Sequence, residues 1–157
     1  MAIFDNVIGR HIYERENADG KIDIFVRAHA ALTAKTPYLA YVGYDGWRTH
    51  AIWDTTLAST SAAAAGEYYK VIVPNAAIGS DTDGWAQVGG YCGSVTTAST
   101  TSTQGCIWRW TDASISAVSH PSLSTGFVDG FAIAYTSASA TTSHDMYLMN
   151  RFVYGTT

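Results

Sequence analysis

Three segments made almost wholly of Ser, Thr, Ala and Gly divide the 157-residue chain, at residues 55–66, 94–105 and 136–143. Between them lie short runs rich in Tyr, Trp, Val and Ile. Small residues cannot fill a core, whereas aromatic and β-branched side chains fit the surface of a pleated sheet. The pattern predicts short strands joined by polar loops, and therefore an all-β domain.

Turn signals and alternating apolar residues suggest how the strands are connected. Asn17-Ala18-Asp19-Gly20 predicts a tight turn, which would join residues 10–15 and 21–27 in a hairpin. Asp45-Gly46 predicts a second hairpin between residues 38–44 and 47–54. Further strands are expected at four places: residues 67–73, the pair 85–95 and 105–111 across the second Ser/Thr segment, residues 126–135, and residues 145–154.

The expected architecture is a single antiparallel β-sandwich or β-barrel with an N-terminal arm. Residues 1–16 form the arm or the first element of the domain, and residues 17–157 form one β domain. Several strands are apolar on both faces: in the last one, Tyr147 and Met149 alternate with Met146 and Leu148. A half-exposed sheet alternates apolar and polar residues, so either the chain supplies extra cover or one face meets another subunit.

The amino-acid composition limits the classes of partner that the chain is expected to bind. Charged residues make up 14% of the chain, against roughly 25% in ordinary soluble domains, and the net charge is −4. A surface with so few charges is either partly covered by partners or rich in exposed Ser and Thr. Without a run of basic residues, nucleic-acid binding is not expected. Neither a membrane span nor a secretion signal is expected, because the apolar runs are too short.

Two cysteines, Cys92 and Cys106, flank the second Ser/Thr segment. In a symmetric hairpin they would face each other, so a cross-strand disulfide is geometrically possible. Synthesis in the cytosol favours free thiols, and buried cysteine is common as a small apolar residue. The sequence leaves both alternatives open.

Reactive side chains form no pattern typical of an active site. Asp81-Thr82-Asp83-Gly84 resembles the start of a calcium loop, but no Glu follows it to complete the site, and a turn is expected instead. The chain lacks a GxSxG nucleophile motif, zinc-ligand spacing and a phosphate-binding glycine loop. We therefore expect no enzyme activity, no catalytic residues, no metal and no cofactor.

Aromatic and aliphatic side chains supply the candidate interaction residues. Trp and Tyr are enriched in protein interfaces, and their ring faces also stack on sugars. The predicted interface residues are Phe4, Ile8, Ile12, Trp47, Trp53, Trp108 and Trp110.

The C-terminal half of the chain resembles structural proteins of tailed-bacteriophage virions, especially small head-decoration or cement proteins. The resemblance lies in the layout of residues 69–74, 84–90, 105–111, 125–134 and 145–153. It implies a non-enzymatic protein, made in the host cytoplasm and located in the virion, that reinforces the head shell by bridging capsomers. Its partners would be the major capsid protein and other copies of itself, as a homotrimer or another symmetric oligomer.

Two features depart from that resemblance: the pair of cysteines and the Trp108-Arg109-Trp110 strand. They leave a tail- or fibre-associated role open. The alternative function is a carbohydrate-binding or tail-associated adhesion module that uses exposed Trp and Tyr side chains.

Overall fold

Twelve strands run through the residues that the structure describes. The structure, a computed structural model, describes residues 3–5, 11–28, 30–42, 49–52, 68–111, 114–118 and 130–154. Those ranges contain no helix, and hence none that could cross a membrane. The prediction of an all-β fold is confirmed.

The strands are β1 (Ile3–Asp5), β2 (His11–Glu16), β3 (Ile22–Ala28), β4 (Tyr38–Val42), β5 (Thr49–Ile52), β6 (Tyr68–Pro74), β7 (Asp83–Ser102), β8 (Ile107–Thr111), β9 (Ser114–Val118), β10 (Gly130–Ala134), β11 (Ala138–Met149) and β12 (Phe152–Tyr154).

The strands pair in the order β1-β2-β3-β5-β4-β6-β7-β11-β10-β8-β9, and β12 pairs with β6. Neighbours are antiparallel except for β3 and β5, which are parallel. The path is open at β1 and β9, so the sheet as a whole is not closed. Within it, β3 also pairs with β7, so that the pairing runs from β3 through β5, β4, β6 and β7 back to β3.

The first predicted hairpin is confirmed. The last residues of β2 pair with the first residues of β3, with Glu16 opposite Ile22. The turn between them is closed by backbone hydrogen bonds from Asn17 to Lys21 (2.8 Å) and from Gly20 to Asn17 (2.9 Å). Gly20 has a φ of 76°, a left-handed conformation that glycine adopts at little cost. The separation of residues 1–16 as an arm stays a prediction, although β1 pairs with β2.

The second predicted hairpin also has its expected strands. β4 and β5 pair antiparallel, with Val42 opposite Thr49. The Asp45-Gly46 turn itself lies outside the described residues.

The prediction of a polar loop at residues 94–105 is wrong for most of that segment. β7 continues through it to Ser102 and pairs along its length with β11, which itself begins inside the segment 136–143. Threonine is β-branched and favours strands despite its polarity, which explains why a Thr-rich run extends the sheet. The predicted pairing of residues 85–95 with 105–111 is wrong as well, because β11 and β10 lie between β7 and β8.

Two apolar cores lie on opposite sides of β6. The first core comprises Ile24, Val26, Ala28, Leu32, Ala40, Ile72, Ile78, Ala86 and Val88. The second core comprises Val71, Val73, Cys92, Val95, Cys106, Trp108, Phe131, Ala132, Ala134, Met146 and Leu148. Ile72 points into the first core, whereas its neighbours Val71 and Val73 point into the second. The two apolar faces of β6 are therefore both covered by this chain, without another subunit.

The cysteines are both buried in the second core, and both are free thiols. Because β11 and β10 separate the strand of Cys92 from the strand that follows Cys106, the symmetric hairpin that would have placed them opposite each other does not form.

Candidate interaction surface

The outer face of β7, β11 and β10 carries exposed apolar side chains. Along β11, Met146 and Leu148 point into the second core, so that Tyr147 between them points outward. Tyr147 lies opposite Tyr91 of β7 on one side and Ile133 of β10 on the other. The exposed fractions are 40% for Tyr91, 37% for Ile133 and 49% for Tyr147. These three side chains form a row across neighbouring strands.

Tyr135 extends this row at the end of β10. Its backbone N–H donates to the carbonyl of Asp145 at 2.9 Å, which holds the residue beside the sheet. Its ring meets the ring of Tyr91 edge to face, with centroids 4.9 Å apart, and the residue is 53% exposed. We call Tyr91, Ile133, Tyr135 and Tyr147 together the aromatic face.

The surroundings of Tyr91 hold its hydroxyl in the neutral form. Loss of solvent, followed by the nearby carboxylate of Asp145, raises the pKa of the Tyr91 hydroxyl above its ordinary value. The Asp145 carboxylate is itself engaged, because its Oδ1 accepts a hydrogen bond from the Ser94 backbone at 3.0 Å. The face therefore offers apolar rings with hydroxyl groups at their tips, the combination that is enriched in protein interfaces.

Trp108, which the sequence places among the predicted interface residues, lies inside the second core. Its side chain is completely buried in the second core, and its ring packs edge to face against His144, with centroids 4.7 Å apart. It offers no surface to a partner in this structure. The alternation that puts Trp108 inward also puts Cys106 in the same core, as expected for residues two apart on a strand.

The other predicted interface residues stay predictions. Phe4, Ile12 and Trp110 lie on β1, β2 and β8, and only the backbone positions of these three are described. Ile8, Trp47 and Trp53 lie outside the described residues. The aromatic face was missed as a site, although the alternation of Ile133 and Tyr135 with small residues was visible in the sequence.

One serine and one histidine lie together in a way that the sequence did not predict. The Ser102 hydroxyl lies 3.1 Å from Nδ1 of His144, whose Nε2 lies 2.9 Å from the carbonyl oxygen of Thr141. Since that carbonyl can only accept, Nε2 donates to it, and in the tautomer with the proton on Nε2 the serine hydroxyl donates to Nδ1. Ser102 is 3% exposed and His144 2%. The pair thus satisfies buried polar groups, and substrate does not reach it in this structure.

The candidate cation loop forms a turn. The backbone N–H of Thr82 donates to the carbonyl of Gly79 at 3.3 Å, and Asp81 has a φ of 55°. The turn leads directly into β7 at Asp83. Within the described ranges, no three His, Cys, Asp or Glu side chains are grouped so that they could hold a metal ion.

Comparisons with known proteins give one structural likeness. No family model matches the chain, and no curated protein matches it. Among solved structures, the chain is similar to the N base of the head fiber gp8.5 in bacteriophage phi29. The match covers 83% of this chain and 95% of that one, with 14% identity and a TM-score of 0.48. A likeness of this degree establishes neither a common fold nor a common function.

Proposed function

We propose that this chain is a non-enzymatic structural protein of a tailed-bacteriophage virion. In its finer form, the proposal is a capsid decoration protein that stabilises the head shell by bridging capsomers. It is made in the host cytoplasm, and its partners are the major capsid protein and other copies of itself in a symmetric oligomer. The resemblance of the C-terminal layout to head-decoration proteins supports this class of function.

The aromatic face is the observation that carries the proposal. Soluble monomers rarely expose contiguous apolar patches without a binding role, and here four large side chains lie together on one sheet surface. The apolar side chains on the two faces of β6 need no partner, because both faces are buried in the cores of this chain. Among the residues that the structure describes, the exposed large apolar side chains are those of the aromatic face, which a partner would cover.

On a symmetric shell, an interaction surface of this size is sufficient for stable binding. A decoration protein meets a shell that repeats the same site many times, and an oligomer engages several sites at once. Linked binding raises the overall affinity far above that of a single contact. A modest patch of tyrosines therefore suits this role, and no deep pocket is required.

The first test is whether the purified protein cosediments with expanded, empty shells of its phage. We expect Tyr147→Lys to weaken binding at least about tenfold, since an ammonium group would be buried without a partner at the centre of the face. Ser139→Lys is the matched control, because Ser139 is exposed on the same strand away from the face, and it should bind as the wild type does.

Two results would contradict the proposal: wild-type protein that stays in the supernatant, or Tyr147→Lys that binds as tightly as the control. Circular dichroism of each variant confirms that the strands are intact.

A further inference from the structure

A groove of about 360 Å³ lies between β2, β3, the start of β7 and the segment that joins β6 to β7. Its walls include Arg15, Asp23, Asn75 and Trp85. Gly84 also lines it, and a Cβ there would lie 2.8 Å from the Ile78 side chain, so this glycine lets Ile78 pack against β7. The volume lies within the range of small-molecule sites, at the lower end.

Asp23 gives this groove an unusual acceptor. Its Oδ2 accepts three hydrogen bonds, from Nε and Nη2 of Arg15 at 3.1 and 3.0 Å and from the side-chain amide of Asn17 at 2.9 Å. Its Oδ1 is buried and accepts none from the residues that the structure describes. The side chain is only 5% exposed. A buried carboxylate oxygen normally has a donor, and leaving one without costs free energy, so this atom points to a ligand group that donates.

Arg15 and Trp85 form the adjoining wall. The Arg15 guanidinium lies over the Trp85 ring, with Cζ 4.1 Å from the ring centroid. Phe25 supports the same ring from its edge, with centroids 5.2 Å apart. Two of the five guanidinium N–H groups bind Asp23, and the side chain is 36% exposed on its outer side. The remaining N–H groups supply donors beside the acceptor of Asp23.

We propose that this groove binds one unit of a saccharide. One sugar hydroxyl donates to Oδ1 of Asp23, a neighbouring hydroxyl accepts from Arg15, and the apolar face of the sugar packs beside Trp85. Because Oδ1 is screened from bulk solvent, the proposal requires the exposed end of Arg15 to shift when the hydroxyl enters.

The charged groups at the groove are largely paired. Arg15 is paired with Asp23, and Arg27 lies 3.3 Å from Asp83 at the edge of the groove.

Lys35 adds one positive charge, because its Nζ donates to Oδ1 of Asn75 at 2.7 Å. The phosphate arm of the test below therefore distinguishes a neutral ligand from an anion. A guanidinium, a carboxylate, a carboxamide and an indole together offer donors, acceptors and an apolar ring, which matches a polyhydroxyl compound.

The test is a nuclear magnetic resonance titration of the full-length, nitrogen-15-labelled protein. The probes are methyl α-glucoside, galactose and N-acetylglucosamine, with inorganic phosphate and free arginine as competing classes. We expect at least one sugar to give saturable shifts at the Trp85 indole and the Asn75 amide, with a Kd of about 1 mM or tighter. The absence of saturable shifts with all three sugars, or saturation with phosphate or arginine alone, would overturn the proposal.

Variants locate the binding. Asp23→Asn and Asn75→Ala should each weaken sugar binding about tenfold, which corresponds to about 1.4 kcal/mol. Gln104→Ala is the control, because it removes an exposed carboxamide far from the groove lining. Asn75 is exposed, so its variant remains informative if Asp23→Asn does not fold. Circular dichroism checks that the loss of its hydrogen bonds with Lys35 and Gln87 leaves the fold intact. Unchanged affinity in Asn75→Ala would contradict the assignment.

The groove does not depend on the proposed virion role. Its residues lie on β2, β3, the segment that joins β6 to β7 and the start of β7. The aromatic face lies on the later part of β7, on β11, and on β10 and the residue that follows it. Asn75→Ala is therefore expected to bind shells normally, and Tyr147→Lys to bind sugar normally. Failure of one proposal leaves the other standing.

Discussion

Gly20 and Gly90 hold the first hairpin against β7 by close contact of their backbones. Both have left-handed φ angles, 76° and 82°. A Cβ on Gly90 would lie 2.7 Å from the carbonyl oxygen of Gly20 and 3.0 Å from Cα of Lys21, whereas a Cβ on Gly20 would meet open space. Both positions therefore require a left-handed backbone conformation, and only at Gly90 would an added methyl group also collide with neighbouring backbone atoms.

This difference predicts unequal costs for the same substitution. Gly20→Ala should lower the free energy of unfolding by about 1 kcal/mol, from the left-handed conformation alone. Gly90→Ala should cost about 2 kcal/mol more, because backbone atoms must move to accept the methyl group. Urea unfolding of the two variants measures both values. Equal losses would show that the hairpin does not press on β7.

At the scale of elements, the strands beside a tight turn were predicted correctly from the sequence. The strands that run through segments of small residues were not. Asn17 to Gly20 marked a hairpin that forms, because a left-handed glycine leaves the chain few alternatives. The composition of residues 94–105 predicts a loop, yet Ser and Thr occur in both loops and strands, and β7 continues to Ser102. Whether such a segment forms a strand depends on pairing with another part of the chain, and here β11 pairs with it.

The pairing of β7 with β11 is interrupted by bulges, and one of them stores strain. The register shifts between Ala138 and Thr141, where Ala140 has a φ of 46°. The Ala140 backbone N–H donates to the Thr101 hydroxyl at 3.2 Å, so the bulge is held by a side chain of the partner strand. A non-glycine residue in this conformation costs about 1–2 kcal/mol.

Ala140→Gly should therefore raise the free energy of unfolding by about 0.5–1 kcal/mol, since relief of the strain exceeds the added entropy of the unfolded chain. Ser139→Gly is the control on the same strand, where φ is not positive, and it should lower stability by about 0.5–1 kcal/mol. Thermal unfolding compares the two. Destabilisation by both variants would mean that the bulge is not strained.

At the scale of the whole molecule, β6 joins the two cores into one unit. Ile72 is completely buried in the first core, and the adjacent Val73 is completely buried in the second. A change of packing in either core therefore acts on β6, which also contributes side chains to the other core. The sequence showed that strands were apolar on both faces, but it could not say whether the cover came from this chain or from another.

We expect Ile72→Ala in the first core and Met146→Ala in the second to behave alike. Each should lower the free energy of unfolding by about 2–5 kcal/mol within a single cooperative transition. Circular dichroism and tryptophan fluorescence, recorded against urea, should give coincident curves for both. Separate transitions in Met146→Ala would show that the two cores unfold independently.

The functional residues were harder to foresee than the fold. Trp108 was expected at an interface because large aromatics are common there, yet the same size and apolarity place it in the second core. Tyr91 and Tyr147 lie far apart in sequence, and only the register of β7 with β11 sets them side by side. Sequence alternation shows which way a side chain points, but it does not show which neighbours it acquires.

The pairing of β3 with β7 has a consequence for synthesis of the chain. Ile22 lies opposite Gly89, so the hydrogen bonds between β3 and β7 cannot form until a long intervening stretch has left the ribosome. During that interval an apolar strand has one unoccupied edge, open to pairing with other nascent chains. Truncation before residue 83 would make that exposure permanent, and insoluble product is the expected result.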